Sequence, residues 1–225
     1  MEEVVREAIP LGAGTLSYRI EDENGKLNIN RVSRELLIQA LEANGMQPGS
    51  ERDGVADSIL DWIDADDNHR LNGAESDYYL SQFPPYRAKN GPVESLAELL
   101  RVKGVTPELL YGSEDYDPEQ ENPEAYPGLA RIFTVFDTPY FNPNTASVEV
   151  LKIAFPPEKV AEILAAKQAK GYHELTLSSH FRVTATGKLE GSATRHTIMA
   201  VIEKIGNDRN AKLLIRYWQD NHFAP

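Results

Sequence analysis

The 225 residues contain no cysteine. That one absence removes disulfides, thiolate nucleophiles and cysteine-ligated zinc, although it fixes no compartment. Long apolar runs are also missing. The longest, Ile198 to Ile202, is five residues, whereas a membrane-spanning helix needs about twenty. The opening Met1-Glu2-Glu3-Val4-Val5-Arg6 has neither the basic nor the apolar region of a signal peptide, and it suits a chain whose own N-terminus lies further upstream. Positive charge is scarce, with 23 Lys+Arg against 35 Asp+Glu for a net charge of −12. Phosphate binding rests on basic side chains, so this balance argues against nucleic acid as the main partner. What remains is ordinary globular stock, 41% hydrophobic, 26% charged and 8% aromatic, enough for one large domain or two small ones.

The charge is uneven. Residues 1–144 hold 27 acids and 12 bases, while 145–225 hold 8 acids and 11 bases. Two stretches carry much of the excess. Glu114 to Glu124 has six acids, no base, and a proline-rich neighbourhood, which reads as a solvated loop. Glu51 to Leu80 has nine acids against Arg52 and Arg70, and these acids have a spacing that solvation does not require.

Periodicity divides the chain into three regions. Leu16, Tyr18 and Ile20 alternate with polar residues, predicting a strand over 15–20 with a turn at Asn24-Gly25. Helical spacing follows over 32–43 and 50–63, then over 93–101, 145–154 and from Pro156-Pro157 to Gly171. Beyond Gly171 the period returns to two: 180–186, 194–205 and 212–218 read as strands, with Gly206-Asn207-Asp208-Arg209 as a hairpin turn. One N-terminal strand and three C-terminal strands predict an α+β chain: an antiparallel sheet interrupted by a large inserted helical domain. The expected boundaries are 1–30 plus 175–225 for the sheet domain and 31–174 for the insert.

The richest constellation runs from Asp61 to Asp77. Counting from Asp64, oxygen-bearing side chains fall at positions 1 (Asp64), 3 (Asp66), 5 (Asn68), 9 (Asn72) and 12 (Glu75), with the Arg70 carbonyl at 7. Alternate loop residues can turn several hard oxygens toward one centre, and this is the ligand spacing of a helix-flanked Ca²⁺ loop. His69 stands where such loops carry their turn glycine, leaving Gly73 to supply the turn. The competing reading is a solvated acidic loop with Asp64 as a cap. Mg²⁺ fits less well because it keeps its waters, and catalytic use of these acids lacks a neighbouring nucleophile. The chain reads as not an enzyme: no GxSxG, P-loop or GxGxxG occurs.

The histidines, His69, His173, His180, His196 and His222, are scattered, and none stands four residues from another. The spacing predicts surface or half-buried residues, with His180 and His196 able to meet across neighbouring strands. Segments 93–110 and 142–170 each read as a helix–hairpin–helix-like pair. Such pairs can seat DNA, and Lys152, Lys159, Lys167 and Lys170 are the one basic cluster available. The acidic balance favours a structural role, leaving a DNA-binding protein of the competence type as the alternative.

Three segments carry a family resemblance: "IEDENGKLNIN" at 20–30, "SILDWIDADDNHRLNGAESDYYLSQFPPYRAKNGPVESLAELLRVKGVTPELLYG" at 58–112 and "FNPNTASVEVL" at 141–151. In order and spacing they resemble the minor pseudopilin K of bacterial type II secretion, the general secretion pathway protein K family. The resemblance implies a pseudopilin α/β sheet with a helical domain inserted after the first strand. It also implies an N-terminal membrane helix that this chain lacks, so the chain is expected to be the periplasmic portion of an inner-membrane-anchored protein, touching membrane only through that missing helix. The implied role is non-enzymatic capping of the pseudopilus tip with minor pseudopilins I and J, with exported protein substrates as further partners. Calcium is the implied ion, with Asp64, Asp66, Asp67, Glu75 and Asp77 as ligands and Asp61 beside them.

Overall fold

Strand pairing begins earlier than the sequence predicts. In a computed structural model, which describes residues 4–113, 115–116, 125–206 and 210–220, Val4–Leu11 (β1) forms a hairpin with Gly14–Asp22 (β2), Leu11 opposite Gly14. Gly12 at the turn has φ +59°, a conformation that glycine adopts without steric cost. The strand hides in the sequence because its register shifts between Arg6 and Ile9, where Ala8 has φ +49°. That bulge breaks the alternation on which strand reading depends, and Pro10 fits because β1 is an edge strand.

The remaining elements follow in chain order. They are Leu27–Asn28 (β3), then helices Arg34–Ala43 (α1), Ser50–Ile63 (α2), Ser76–Leu80 (α3), Pro107–Tyr111 (α4) and Leu129–Ile132 (α5). Next come Phe133–Thr134 (β4), helices Val148–Ala154 (α6) and Pro157–Lys170 (α7), and strands His180–Leu189 (β5), Arg195–Ile205 (β6) and Lys212–Gln219 (β7). Val93 to Arg101, expected as a helix, forms only a 3₁₀ stretch over Leu96–Arg101, with the Val93 N–H bonded to Asn30 Oδ1 at 2.7 Å.

Among the described residues one antiparallel sheet runs in the order β1-β2-β5-β6-β7. The register sets Leu16, Tyr18 and Ile20 opposite Gly187, Ala185 and Val183, and the last two opposite Ile198 and Ala200. One apolar face therefore crosses the central strands. His180 pairs with Glu203 and His196 with Gly187, so those two histidines do not meet; His180 is buried beside Phe136, ring centroids 6.2 Å apart. The turn expected at Gly206 to Arg209 and the acidic loop at Glu114 to Glu124 fall largely outside the described residues, as does His222.

Chain contacts divide the protein into two units. The sheet unit comprises Met1–Lys26, Phe136–Leu151 and Pro157–Pro225; the helical unit comprises Leu27–Val135 and Lys152–Pro156. The helical unit is thus shorter than the expected 31–174, since 136–151 and all of α7 group with the sheet. Half-buried Asp22 and buried Asn24 tie the 136–151 segment to the sheet. Asp22 Oδ2 accepts from Asn142 Nδ2 at 3.1 Å, from Thr145 Oγ1 at 2.7 Å and from Ser178 Oγ. Asn24 Oδ1 accepts from the backbone N–H groups of Ser179 and His180, both at 3.0 Å, while its amide donates to the Tyr140 carbonyl at 2.8 Å. The segments around 142 and 179 are thereby stitched to the end of β2.

The helical unit has its own core. Leu37 and Leu41 of α1, Ile59 and Trp62 of α2, Tyr79 of α3, and Leu99, Leu110, Leu129 and Phe133 are all fully buried. Ser33 starts α1 by accepting from the Leu36 N–H, and Thr106 does the same for α4 through Leu109.

Asn24→Ala strands two backbone N–H groups and one carbonyl in a buried site. It is expected to destabilise the sheet unit by about 2–3 kcal/mol, read from urea denaturation followed through β-sheet circular dichroism.

Candidate metal centre

Helix α2 presents Asp57 and Asp61 four residues apart, hence on one face. Both are buried, and buried carboxylates need charge or hydrogen-bond partners. Asp57 receives Arg34 Nε at 2.6 Å, while its second oxygen accepts from the Asn72 backbone at 3.4 Å. Asp61, fully buried, accepts the Arg70 backbone N–H at 3.1 Å, the Ala74 N–H at 3.0 Å and Arg70 Nη1 at 2.6 Å. Burial pushes its pKa up, against the pull of Arg70. The loop after α2 is thus folded back onto the helix by the acids of the helix itself.

Gly73 closes that loop. Its N–H donates to the Arg70 carbonyl at 3.1 Å, the turn that the sequence assigns to it in place of His69. A Cβ here would lie 1.8 Å from Asp61 Oδ2, so only glycine lets the loop approach the buried carboxylate.

The six acids fall into distinct settings. Asp64, half-buried at the end of α2, places Oδ2 2.6 Å from the same Arg70 Nη1 that holds Asp61, while its buried Oδ1 has no partner. Glu75 is 2% exposed, and neither carboxylate oxygen has a hydrogen bond. Burial first, then the negative charges of Asp61, Asp64, Asp67 and Asp66, push its pKa up to about 7. Asp67 is exposed, and its carboxylate accepts from Asn90 Nδ2 at 3.0 Å; that bond, with help from Ser76, holds its pKa down. Asp66 is exposed and turned to its own loop, accepting from the Asn68 N–H at 2.9 Å and its amide at 2.7 Å. Asp77 is exposed at the start of α3, 2.7 Å from the Tyr78 N–H. Arg70 therefore joins Asp61 and Asp64, and Glu75 feels their charge and that of Asp67 and Asp66, whereas the Asp66 and Asp77 side chains are bonded to their own local backbone.

Sequence spacing missed Asn90. It adopts φ +48°, tolerable for asparagine. Its Oδ1 is buried without a partner, and its neighbour Gly91 donates to the Trp62 carbonyl at 3.4 Å. The one signal available was Lys89-Asn90-Gly91 as a turn. Asn68, Arg70 and Asn72, at alternate positions of the proposed ligand pattern, are otherwise engaged: Asn68 with Asp66, the Arg70 carbonyl with Gly73, and the Asn72 amide with Asp57 at 3.4 Å. The backbone is consequently not that of the twelve-residue loop the spacing resembled.

Among the described residues no three His, Asp or Glu side chains converge to hold a metal ion as they stand; the Arg70 guanidinium bridges Asp61 and Asp64 instead. The donor set still fits a hard cation. Four buried acceptor oxygens, two from Glu75 and one each from Asp64 and Asn90, lack any donor, and all are of the oxygen type that Ca²⁺ takes.

Residues 19–114 match the family described as type II secretion system (T2SS), protein K. Type II secretion system protein K of Pseudomonas aeruginosa is 31% identical over 171 residues, covering 71% of this chain and 46% of the relative. A putative type II secretion system protein K of Escherichia coli is 30% identical over 104 residues, covering 41% of this chain and 32% of the relative. The chain thus spans less than half the length of these curated relatives. Its fold matches a chain of the GspK-GspI-GspJ complex from the enterotoxigenic Escherichia coli type 2 secretion system, with a TM-score of 0.69 at 17% identity over 98% of this chain and 84% of the other.

In metal-free protein, Glu75 titrates about 7 when folded and near the ordinary 4.5 when unfolded. A carboxyl raised on folding favours the native state below its unfolded pKa and withdraws that stability as pH climbs through the folded value. Melting temperatures are expected to fall between pH 4.5 and 7, and Glu75→Gln should flatten that fall. Gly73→Ala should destabilise by more than about 2 kcal/mol by displacing Asp61, measured by thermal denaturation.

Proposed function

We propose that this chain is the periplasmic part of a minor pseudopilin of the type II secretion system, a non-enzymatic subunit that caps the pseudopilus tip with minor pseudopilins I and J and is stabilised by Ca²⁺. The match of residues 19–114 to the protein K family supports the pseudopilin role. The observation that carries the assembly is a fold shared along 98% of the chain with a member of a GspK-GspI-GspJ complex. No helix among the described residues is long and apolar enough to cross a membrane.

The mechanism is positioning. The orphaned oxygens of Glu75 and Asp64 support the calcium reading, and Asp61, Asp67 and Asn90 stand next to them. Glu75 and Asp64, with Asn90, would hold the ion, which would supply the positive charge that Glu75 lacks; Glu75 would then stay ionised in place, Asp64 would fix the end of α2, and the loop between α2 and α3 would keep a single form. The inserted unit thereby offers neighbouring subunits, or an exported protein, a preformed surface, reducing the ordering cost of association. The DNA-binding alternative has no comparable support: the net charge is −12, and Lys159 is tied to Glu162 at 3.0 Å.

Two measurements test this reading. Ca²⁺ at a hundredfold excess over its Kd should stabilise chelator-stripped protein by about 2.7 kcal/mol, with little effect from Mg²⁺; Glu75→Gln should remove the shift. An unchanged melting temperature would return the loop to a plain acidic surface. Mixed with the periplasmic parts of pseudopilins I and J from the same bacterium, the chain should elute with both in one gel-filtration peak. Separate elution would overturn the tip assignment while leaving the calcium result intact.

A further inference from the structure

Beside the acidic loop, large apolar side chains stand in water. Leu71 is 95% exposed and Phe83 99%, and Tyr78 and Leu80 between them are partly exposed. Isolated exposed apolar residues are ordinary, but four within thirteen residues form a group, and their backbone is held. On one side of Leu71, the Arg70 N–H is bonded to buried Asp61; on the other, the Asn72 N–H is bonded to Asp57. Lys103 Nζ grips the carbonyls of Asn72 and Gly73 at 3.3 and 3.2 Å and lies 5.2 Å from the centre of the Tyr78 ring. That lysine ties the Leu71 loop to α3.

Phe83 is presented just as firmly. Before it, the Ser81 and Gln82 N–H groups donate to the Tyr78 and Tyr79 carbonyls at 3.1 and 3.3 Å. After it, the Tyr86 N–H donates to the Tyr79 carbonyl at 3.3 Å, and the Tyr86 ring stacks on Tyr79 with centroids 5.3 Å apart. An aromatic and an aliphatic side chain held out on ordered backbone are the anchors that protein interfaces use, because little entropy remains to be lost on binding.

The surrounding charge specifies the partner. Asp66, Asp67 and Asp77 are exposed next to Leu71 and Tyr78, and the stretch from Glu51 to Leu80 has nine acids against two bases. A bound divalent cation leaves it still acidic. We propose that Leu71, Tyr78, Leu80 and Phe83, rimmed by these carboxylates, form a docking surface for a polypeptide segment that carries apolar side chains next to lysine or arginine. Apolar anchors give the affinity, and the acidic rim selects the sign of the partner and speeds encounter. The surface shares the loop between α2 and α3 with the proposed calcium site, but its apolar anchors are not ion ligands, so peptide binding can fail while the calcium and tip-assembly results stand.

The test titrates the full chain into two fluorescein-labelled helical peptides at about physiological salt, one of leucine and lysine, the other of leucine and glutamate. The lysine peptide should raise anisotropy saturably and the glutamate peptide should not. Leu71→Ser with Phe83→Ser should weaken the lysine peptide by about tenfold or more. Both side chains are solvent-exposed, so the melting temperature of this variant should match the parent. Equal binding by parent and double variant would overturn the proposal, as would equal binding of the two peptides or no binding of either. Self-association of the parent that the double variant loses would overturn it too, assigning the surface to a second copy of the chain.

Discussion

A carboxylate cannot be taken out of water without something to replace the water, and the helical unit is organised around this constraint. Asp57, Asp61 and Glu75 are each at most 3% exposed. Arg34 answers the first and Arg70 the second. No protein donor answers the third. Because Arg70 must reach back to α2, the loop folds over the helix end; because the loop lies so close to Asp61, residue 73 is glycine. The shape of the loop thus follows from the charge it covers, and Glu75 marks where the protein's own supply of positive charge ends.

The sheet unit meets the same constraint with neutral donors. Asp22 is surrounded by the Asn142 amide and the hydroxyls of Thr145 and Ser178, so no cation is required. Each hydroxyl comes from a different segment, which makes one carboxylate a joint for three stretches of chain. Asn24, two residues on, does the same with backbone groups. Burial with hydrogen bonds builds a fixed joint, whereas burial without them leaves a site whose charge state responds to its surroundings.

Much of the fold was legible because its signals are local. The strands from 180 to 219 and the helices at 34–43, 50–63 and 157–170 announce themselves by period and by terminators such as Gly171. β1 was not legible, since its bulge at Ala8 destroys the alternation. The limits of the insert were hidden as well, because Asp22 and Asn24 choose partners more than a hundred residues away. In the acidic loop, composition pointed to the right stretch and to Gly73 as its turn. Spacing could not show that Arg70 bridges Asp61 and Asp64, that Asp66 turns to Asn68, or that Asn90 joins from a later segment. Those depend on which oxygens the core excludes from water, a property of packing rather than of order along the chain.

β2 and β5 are direct neighbours, Asp22 opposite Phe181, although roughly 160 residues separate them, a loop whose closure entropy grows only with the logarithm of its length. Doubling that length would add only about 0.6 kcal/mol to the cost of bringing the two strands together. The corner between them is therefore a port rather than a linker: the sheet specifies where a passenger domain leaves and returns, and is nearly indifferent to its size.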